Sequence, residues 1–139
     1  MKVELKRIDE DFHFEANGEA GVPVHIDAAG GIGGHDAGAR PMELLLMSAG
    51  SCSAIDVILI LRKQKQDLKD LQITIEGERE KGKHVSVFTR INLHFRLKGR
   101  LSTLKVERAL RLSMEKYCSA VTMLRKTAEI TYSYEITGE

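Results

Sequence analysis

The two cysteines are the residues of this chain best suited to covalent chemistry. Cys52 lies in the stretch SAGSCSAID at residues 48–56, and Cys118 lies in SMEKYCSAV at residues 113–121. Neither belongs to a CxxC pair, which argues against a structural zinc site. A cysteine in an apolar helix is most often an inert small hydrophobic side chain. A thiolate, in contrast, is a nucleophile that can be oxidised and can pair with a second thiol.

The residues that flank Cys52 favour the reactive alternative. Small side chains leave room for another group to approach the thiol: Gly50, Ser51, Ser53 and Ala54. Asp56 lies four residues after Cys52 and therefore on the same helix face. An ionised Asp56 disfavours the thiolate, so a reactive Cys52 requires a lysine or arginine delivered from elsewhere in the fold.

Two further charged residues lie near the start of the same segment. Glu43 precedes Cys52 by nine residues, which places the two on opposite sides of a straight helix. Arg40 is about three helical turns away from Cys52. If these residues serve one site with Cys52, the start of the helix must bend or a second subunit must contribute.

Composition and charge place the chain among soluble globular proteins. It has 139 residues, a formal net charge of +1 and 42% hydrophobic residues, which predicts a single domain spanning residues 1–139. The basic residues are dispersed, so we expect no nucleic-acid partner. The N-terminus has no continuous apolar stretch of the signal-peptide kind, which favours the cytoplasm, where structural disulfides are rare.

Two other classes of function find little support in the sequence. The apolar run from Leu44 to Leu61 is long enough to cross a membrane. Asp56 and the interspersed serines would be costly in lipid, so we expect no membrane span. The five histidines are scattered without HxxxH spacing, so we expect no metal site. The glycine-rich stretch at residues 28–39 lacks the Lys-Ser or Lys-Thr of a phosphate-binding loop and is predicted to be flexible chain or a lid.

Hydrophobic periodicity predicts strands in the first forty residues, followed by a long helix. Pro41 suits the first turn of that helix because its missing N–H costs nothing there. The helix should run to about Lys65. Because it is apolar nearly all round, we expect it to be buried nearly all round, which implies a partner surface.

The second half of the chain alternates between strand and helix periodicity. The predicted elements are strands near residues 71–75 and 85–97 with a turn at 80–83, a helix capped by Ser102 with an apolar stripe reaching Tyr117, a short helix from Ser119 through Leu124, and a strand over 128–136. The order β-β-β-α-β-β-α-α-β contains no repeated βαβ unit. It predicts an α+β fold with largely antiparallel sheets and helices packed on one side.

Two segments carry a resemblance to a known family. The stretch RPMELLLMSAGSCSAIDVILILRKQ, together with SMEKYCSAVTML, resembles the OsmC/Ohr family of osmotically induced and organic hydroperoxide resistance proteins, in its less characterised branch. The resemblance covers nearly the whole chain. It implies an OsmC-like fold with strands wrapped around a long central helix, and an intertwined homodimer with active sites at the subunit interface.

The resemblance also implies roles for individual residues. Cys52 is the expected peroxidatic nucleophile and Cys118 the resolving thiol that forms a disulfide with it. Glu43 corresponds to the family's motif carboxylate, although it stands two residues after the proline rather than one as in the Ohr pattern. The family's activating arginine comes from the N-terminal strand region, for which Arg7 and Arg40 are candidates. No cofactor is expected, because a lipoyl-type dithiol or another external thiol reduces the disulfide.

These observations predict a cytoplasmic, homodimeric thiol peroxidase that reduces organic hydroperoxides in oxidative stress defence. An apolar wall of Leu, Ile and Met side chains would favour alkyl hydroperoxides over hydrogen peroxide. The alternative is a non-enzymatic dimer that senses redox state or binds a hydrophobic small molecule. A third interpretation gives both thiols a purely structural role. The discriminating feature is the cation at Cys52, because binding is favoured over catalysis without it.

Overall fold

The computed structural model describes residues 1–138, and the chain divides into two compact units, Met1–Leu45 and the remainder. The elements follow the predicted order. They are β1 Glu4–Arg7, β2 Phe14–Asn17, β3 Val24–Ile26, α1 Pro41–Lys63, β4 Asp67–Arg79, β5 Phe88–Arg100, α2 Thr103–Leu112, a π-helical turn Ser113–Tyr117, α3 Ser119–Leu124 and β6 Glu129–Thr137. The α+β class predicted from periodicity is confirmed. That the two units form a single domain stays a prediction.

The first unit is a three-stranded antiparallel sheet in the order β1-β2-β3, followed by the glycine-rich loop. One buried carboxylate organises that loop. Asp27 accepts hydrogen bonds from the backbone N–H groups of Ala28, His35 and Ala37 at 2.7, 3.0 and 3.1 Å. The prediction of flexible chain misses this anchor, because a single aspartate that satisfies three backbone donors leaves no periodic pattern in the sequence.

The helix α1 begins at Pro41 as predicted and ends at Lys63, close to the predicted Lys65. The chain by itself buries one face of this helix: Ala49, Gly50, Ser53, Val57 and Leu61. The expectation of burial nearly all round included a partner surface, so it stays a prediction, and the single chain leaves the other face of the helix exposed. Met47, Ile55 and Leu59 are 50%, 59% and 50% exposed. By length and composition α1 could also cross a membrane, which is weak evidence because core helices of soluble proteins pass the same test.

The second unit is built on a three-stranded sheet in the order β4-β5-β6. β4 and β5 pair antiparallel, whereas β5 and β6 pair parallel. Among residues 1–138, three of the four strand pairings are antiparallel, which confirms the expectation of largely antiparallel sheets. The parallel pair is the exception, because α2 and α3 together form the crossover between β5 and β6. The alternation in β5 is confirmed, since Ile91, Leu93, Phe95 and Leu97 are at most 1% exposed and form the centre of the core.

Three local predictions in this unit meet different outcomes. Ser102 caps α2 as predicted by accepting from the Lys105 amide, and α3 has the predicted bounds. The predicted start of β5 near Val85 is wrong. The strand begins at Phe88, and residues 80–87 form a longer connection closed by the Glu80 amide on the Val87 carbonyl at 2.9 Å. Tyr117 is also misassigned to the core, because it is half exposed on the π-helical turn.

Candidate active site

The small residues in SAGSCSAID let α1 approach the sheet. A Cβ atom placed on Gly50 would lie 2.5 Å from Cδ1 of Ile75 on β4, so only glycine fits there without displacing that side chain. The sheet therefore supports the helix turn that carries Cys52. The apolar segment tolerates its small and polar residues because several of them occupy packed positions, and Gly50 and Ser53 are both buried.

The second cysteine reaches α1 through a change in helix geometry. α2 ends at Leu112, the chain widens into the π-helical turn Ser113–Tyr117, and Cys118 follows in an extended conformation. The Cys118 amide closes the turn on the Ser113 carbonyl at 2.8 Å. A π-helical turn shifts the residues that follow it relative to the preceding helix face, and such turns are frequent at functional sites. Here the turn brings Ser113, Met114 and Cys118 onto the buried face of α1.

The two thiols are neighbours. Cys52 Sγ, Cys118 Sγ and a carboxylate oxygen of Asp56 all lie within 4.8 Å of one another. Both cysteines are free thiols, and Cys52 is half buried whereas Cys118 is 1% exposed. A disulfide has a sulfur separation of ~2.05 Å, so the two sulfur atoms must approach each other by less than about 3 Å to form one. Residues far apart in the chain thus form one compact site, which is the proximity that a disulfide between Cys52 and Cys118 requires.

The Cys118 thiol is held by its surroundings. Its sulfur accepts a hydrogen bond from the Ser53 hydroxyl at 3.4 Å and another from the Val121 amide at 3.4 Å. Burial raises the pKa of Cys118, and these two donors offset part of that increase, while the neighbouring Cys52 adds to it. Cys118 is therefore a buried, oriented thiol, whereas the residue Cys52 is only partly buried.

Asp56 is also oriented by a hydroxyl from the π-helical turn. Ser113 Oγ donates to Asp56 Oδ2 at 3.1 Å and lies 3.4 Å from the Ser53 carbonyl oxygen. The carboxylate thus belongs to the same hydrogen-bonded group as the thiols, as its position one turn after Cys52 predicts. The Asp56 carboxylate therefore lies beside both thiols.

A groove of ≈ 510 Å³ opens beside Asp56. Its walls combine apolar side chains with two cations: Leu59, Ile60, Leu112, Tyr117, Lys63 and Arg108. The groove also contains Gln64, whose buried Oε1 has no hydrogen-bond partner within residues 1–138. The groove is lined by Asp56, which lies beside both thiols, and by Tyr117, which directly precedes Cys118 in the sequence.

The other predicted site residues lie in the first unit. Glu43 accepts from the Arg40 amide at 2.9 Å and so caps the start of α1. The Arg40 guanidinium pairs with Asp36 at 3.3 Å. Arg7 donates to the backbone carbonyls of Glu10 and Asp11. Each of these side chains has a local structural partner, and their assignment to the active site stays a prediction.

Ser53 and Ser113 contribute to the site in a way that sequence reasoning misses. In the sequence Ser53 stands out only as a small neighbour of Cys52, and Ser113 only as a member of an apolar stripe. Their partners are about sixty residues away in the chain, so no local pattern could reveal the hydrogen bonds. Hydroxyls at core positions on two elements that each carry a cysteine are the available signal, because buried hydroxyls require partners.

Comparison with known proteins gives consistent results. The family model described as OsmC-like protein matches residues 34–133. Protein YhfA of Escherichia coli (strain K12) is 43% identical over 137 residues, which cover 98% of each chain. The crystal structure of a hypothetical protein from Aquifex aeolicus VF5 is similar at 34% identity and a TM-score of 0.86, covering 99% of this chain and 96% of that one. An organic hydroperoxide resistance protein OsmC from Legionella pneumophila has a TM-score of 0.70 over 97% of both chains, and its 17% identity shows likeness of fold alone.

This protein belongs to the OsmC-like family. The resemblance seen in the sequence is thereby confirmed, and so is the OsmC-like α+β fold. The Legionella pneumophila protein of similar fold is named for organic hydroperoxide resistance, whereas YhfA, at 43% identity, carries a name without an activity.

Proposed function

We propose that this protein is a cysteine-based peroxidase that reduces organic hydroperoxides in oxidative stress defence, with Cys52 as the peroxidatic and Cys118 as the resolving thiol. The observation that carries the proposal is the thiol pair itself. The sulfur of a partly buried cysteine lies within 4.8 Å of the sulfur of a fully buried one. A purely structural role would explain the burial of Cys118, but it would not explain why Cys52 faces it on a neighbouring element.

The reaction follows from this arrangement. The Cys52 thiolate attacks the terminal oxygen of ROOH, an S–O bond forms, and the O–O bond breaks. The sulfur loses two electrons to the peroxide, and the alkoxide takes a proton and leaves as ROH. Cys118 then attacks the Cys52 sulfenic acid, the S–S bond forms, and water departs. An external dithiol of the lipoyl type, or another thiol, reduces the disulfide and restores both thiols.

The groove beside Asp56 supports an organic substrate. We place the hydrocarbon part of the hydroperoxide against Leu59, Ile60 and Leu112, with its peroxide end toward the thiols. Apolar walls with a few polar groups are the usual lining of a small-molecule site. Hydrogen peroxide would gain nothing from these walls, so the proposal favours alkyl hydroperoxides.

A homodimer completes the proposal. The exposed face of α1 contains Met47, Ile55 and Leu59, and grouped apolar side chains on a surface mark an interaction site. A second copy that covers this face could also supply the cation that Cys52 needs, with Arg40 and Glu43 of one subunit serving the thiols of the other. Sedimentation velocity tests the assembly: Ile55→Asp should give monomers, whereas Val85→Asp, in the exposed connection before β5, should remain dimeric.

The activity is tested with purified reduced protein, cumene hydroperoxide and dihydrolipoamide, following peroxide loss. We expect catalytic turnover that Cys52→Ser abolishes. Cys118→Ser should reduce one equivalent and then stop as a sulfenic acid that dimedone labels. Ser51→Ala is the matched control, because Ser51 is exposed beside Cys52 and bonds the Met47 carbonyl. Turnover that survives Cys52→Ser would contradict the nucleophile assignment.

One observation favours the non-enzymatic alternative, a redox sensor or a dimer that binds an apolar small molecule. Asp56 places a carboxylate beside the thiols, and Arg40 is paired with Asp36 rather than with a thiol. In that case the disulfide would form once per chain with hydroperoxide, but dihydrolipoamide would not sustain turnover. The same assay separates the two functions.

A further inference from the structure

We propose that the reduced protein binds a borderline-soft divalent cation of the Zn²⁺ class through Cys52, Cys118 and Asp56, and that oxidation of the two thiols to a disulfide releases it. This metal site is a second function of the thiol pair. It does not depend on peroxidase activity, because neither binding nor release requires a hydroperoxide.

The donor atoms fit such a cation. Zn²⁺ prefers thiolate sulfur, imidazole nitrogen and carboxylate oxygen, and it is bound tetrahedrally with Zn–S distances of ~2.3 Å and Zn–O distances of ~2.1 Å. These lengths require ligand atoms about 3.5–3.8 Å apart. The two sulfurs and the carboxylate oxygen already lie within 4.8 Å of one another, so small side-chain rotations bring them to the required separation. The two thiolates select against Mg²⁺ and Ca²⁺, which prefer oxygen ligands.

The residues behind the ligands are suited to orienting them. Ser113 donates to Oδ2 of Asp56 and so orients the carboxylate. Ser53 and the Val121 amide donate to the Cys118 sulfur. Hydrogen bonds of this kind fix the direction of metal ligands and raise metal affinity. Hydrogen bonds therefore orient two of the three proposed ligands, Asp56 and Cys118.

The surroundings also leave a fourth coordination position open. Cys52 is half buried, and the groove beside Asp56 admits solvent. A water molecule can complete the tetrahedron, so the cation can exchange with solution. Closed structural zinc sites use four protein ligands, and a three-ligand site with an open position is built for exchange or chemistry.

Oxidation removes two of the three ligands. Binding displaces the thiol protons, since sulfur binds zinc as the thiolate. A two-electron thiol oxidant such as diamide then takes two electrons from the sulfurs and two protons from solvent. The S–S bond forms, and the cation leaves with its charge unchanged because a lone carboxylate holds it weakly.

A second cluster of possible ligands serves as an internal comparison. Asp9, Asp11 and His35 lie within the same distance of one another in the first unit. His35 Nε2 is 2.7 Å from Asp11 Oδ2, so an ion pair explains that cluster, and the side chains of these two residues are at least half exposed. Without sulfur, it offers a cation of the Zn²⁺ class less than the thiol site does.

The test uses the full reduced chain, with Zn²⁺ in calorimetry and Cd²⁺ in ultraviolet absorption, where thiolate–cadmium charge transfer reports the sulfurs. We expect one cation per chain at the thiol site, absorption from two thiolates, and complete release when diamide forms the disulfide. Asp56→Asn should weaken Zn²⁺ binding by about 100-fold, and Cys52→Ser should remove half of the cadmium signal. Ser51→Ala and His35→Ala are controls that should leave both unchanged, and circular dichroism checks that each variant is folded.

Several results would overturn the site. They are a Zn²⁺ affinity unchanged in folded Asp56→Asn, a cadmium signal that His35→Ala removes, and retention of the cation after the disulfide has formed. Failure of the peroxidase assay would leave these measurements unaffected, since they contain no peroxide. Conversely, a protein that turns over hydroperoxide but gives no cadmium–thiolate absorption would retain the proposed function and lose this one.

Discussion

The thiol site of the second unit and the glycine loop of the first unit are organised by opposite means. Around Cys118, packing dominates: the side chains of β5, α2 and α3 that face the core are almost entirely buried. Around Asp27, hydrogen bonds dominate, because one carboxylate collects three backbone N–H groups while His35 pairs with Asp11 at the surface. Changes of volume should therefore disturb the thiol pair, whereas changes of charge or pH should disturb the loop.

The largest effect should come from a change of volume in the core of the second unit. Phe95 on β5 is fully buried, and Phe95→Ala removes its side chain and leaves a cavity. We expect a loss of about 3–5 kcal/mol in the free energy of unfolding, measured by urea denaturation. Hydrogen exchange should show that the loop amides of Ala28 and Ala37 change far less than those of β5. Equal loosening of both regions would contradict the contrast between them.

A smaller effect should follow from crowding the contact between α1 and β4. Gly50→Val places a branched side chain against Ile75 and should cost about 1–3 kcal/mol, because overpacking forces neighbours to shift. It should also slow formation of the Cys52–Cys118 disulfide by diamide. The double variant with Ile75→Ala makes room and should lose less stability than the two single changes together. Strict additivity would mean that the close approach does not matter.

The parts of the fold that the sequence could predict are those with local causes. Pro41 at the helix start, the Ser102 cap and the alternation from Ile91 to Leu97 depend on neighbouring residues, and each is confirmed. The parallel pairing of β6 with β5 is not predictable in this way because it depends on a crossover. The exposure of Tyr117 escapes prediction because a π-helical turn breaks the 3.6-residue period on which the assignment to the core rests.

For the candidate site, the sequence predicts the thiols and the carboxylate but not the hydroxyls that orient them. Residue types and spacing identify both cysteines and the neighbouring Asp56, and their proximity is now a structural observation. The contributions of Ser53 and Ser113 are not predictable, because a hydroxyl acts through whichever residue the fold brings to it. Residue type indicates what chemistry is possible, and long-range packing decides which groups take part.

Removal of the Ser53 hydroxyl should change the rate at which the Cys52–Cys118 disulfide is reduced. It donates to the Cys118 sulfur, which becomes the leaving thiolate when a reductant attacks the more accessible Cys52 sulfur of the disulfide. Since hydrogen bonds to charged groups contribute about 1.5–3 kcal/mol, Ser53→Ala should slow reduction by dithiothreitol about tenfold or more. Ser51→Ala, which alters an exposed hydroxyl on the same helix, should reduce at the normal rate. Identical rates in the two variants would remove this role from Ser53.

The smallest effects should be those of pH on the loop. The hydrogen bond with Asp11 raises the pKa of His35 above its ordinary value of about 6.5. The contribution of His35 to stability is therefore full below that ordinary value and disappears as pH rises through the raised value. For Asp27, burial raises the pKa, but the three backbone donors lower it by more. Its contribution to stability is therefore full above the ordinary value of about 3.9 and disappears as pH falls through the lowered value.

Amide exchange at Ala28 and Ala37, corrected for intrinsic rates, should be slowest between these two pH limits. Exchange should accelerate at acid pH and again at alkaline pH, whereas the amides of β5 should show neither acceleration. Asp27→Asn should remove only the acceleration at acid pH, and His35→Gln should remove only the acceleration at alkaline pH. If one substitution removed both accelerations, the loop would respond to a single titrating group. That result would contradict an arrangement in which two separate charged groups stabilise the loop.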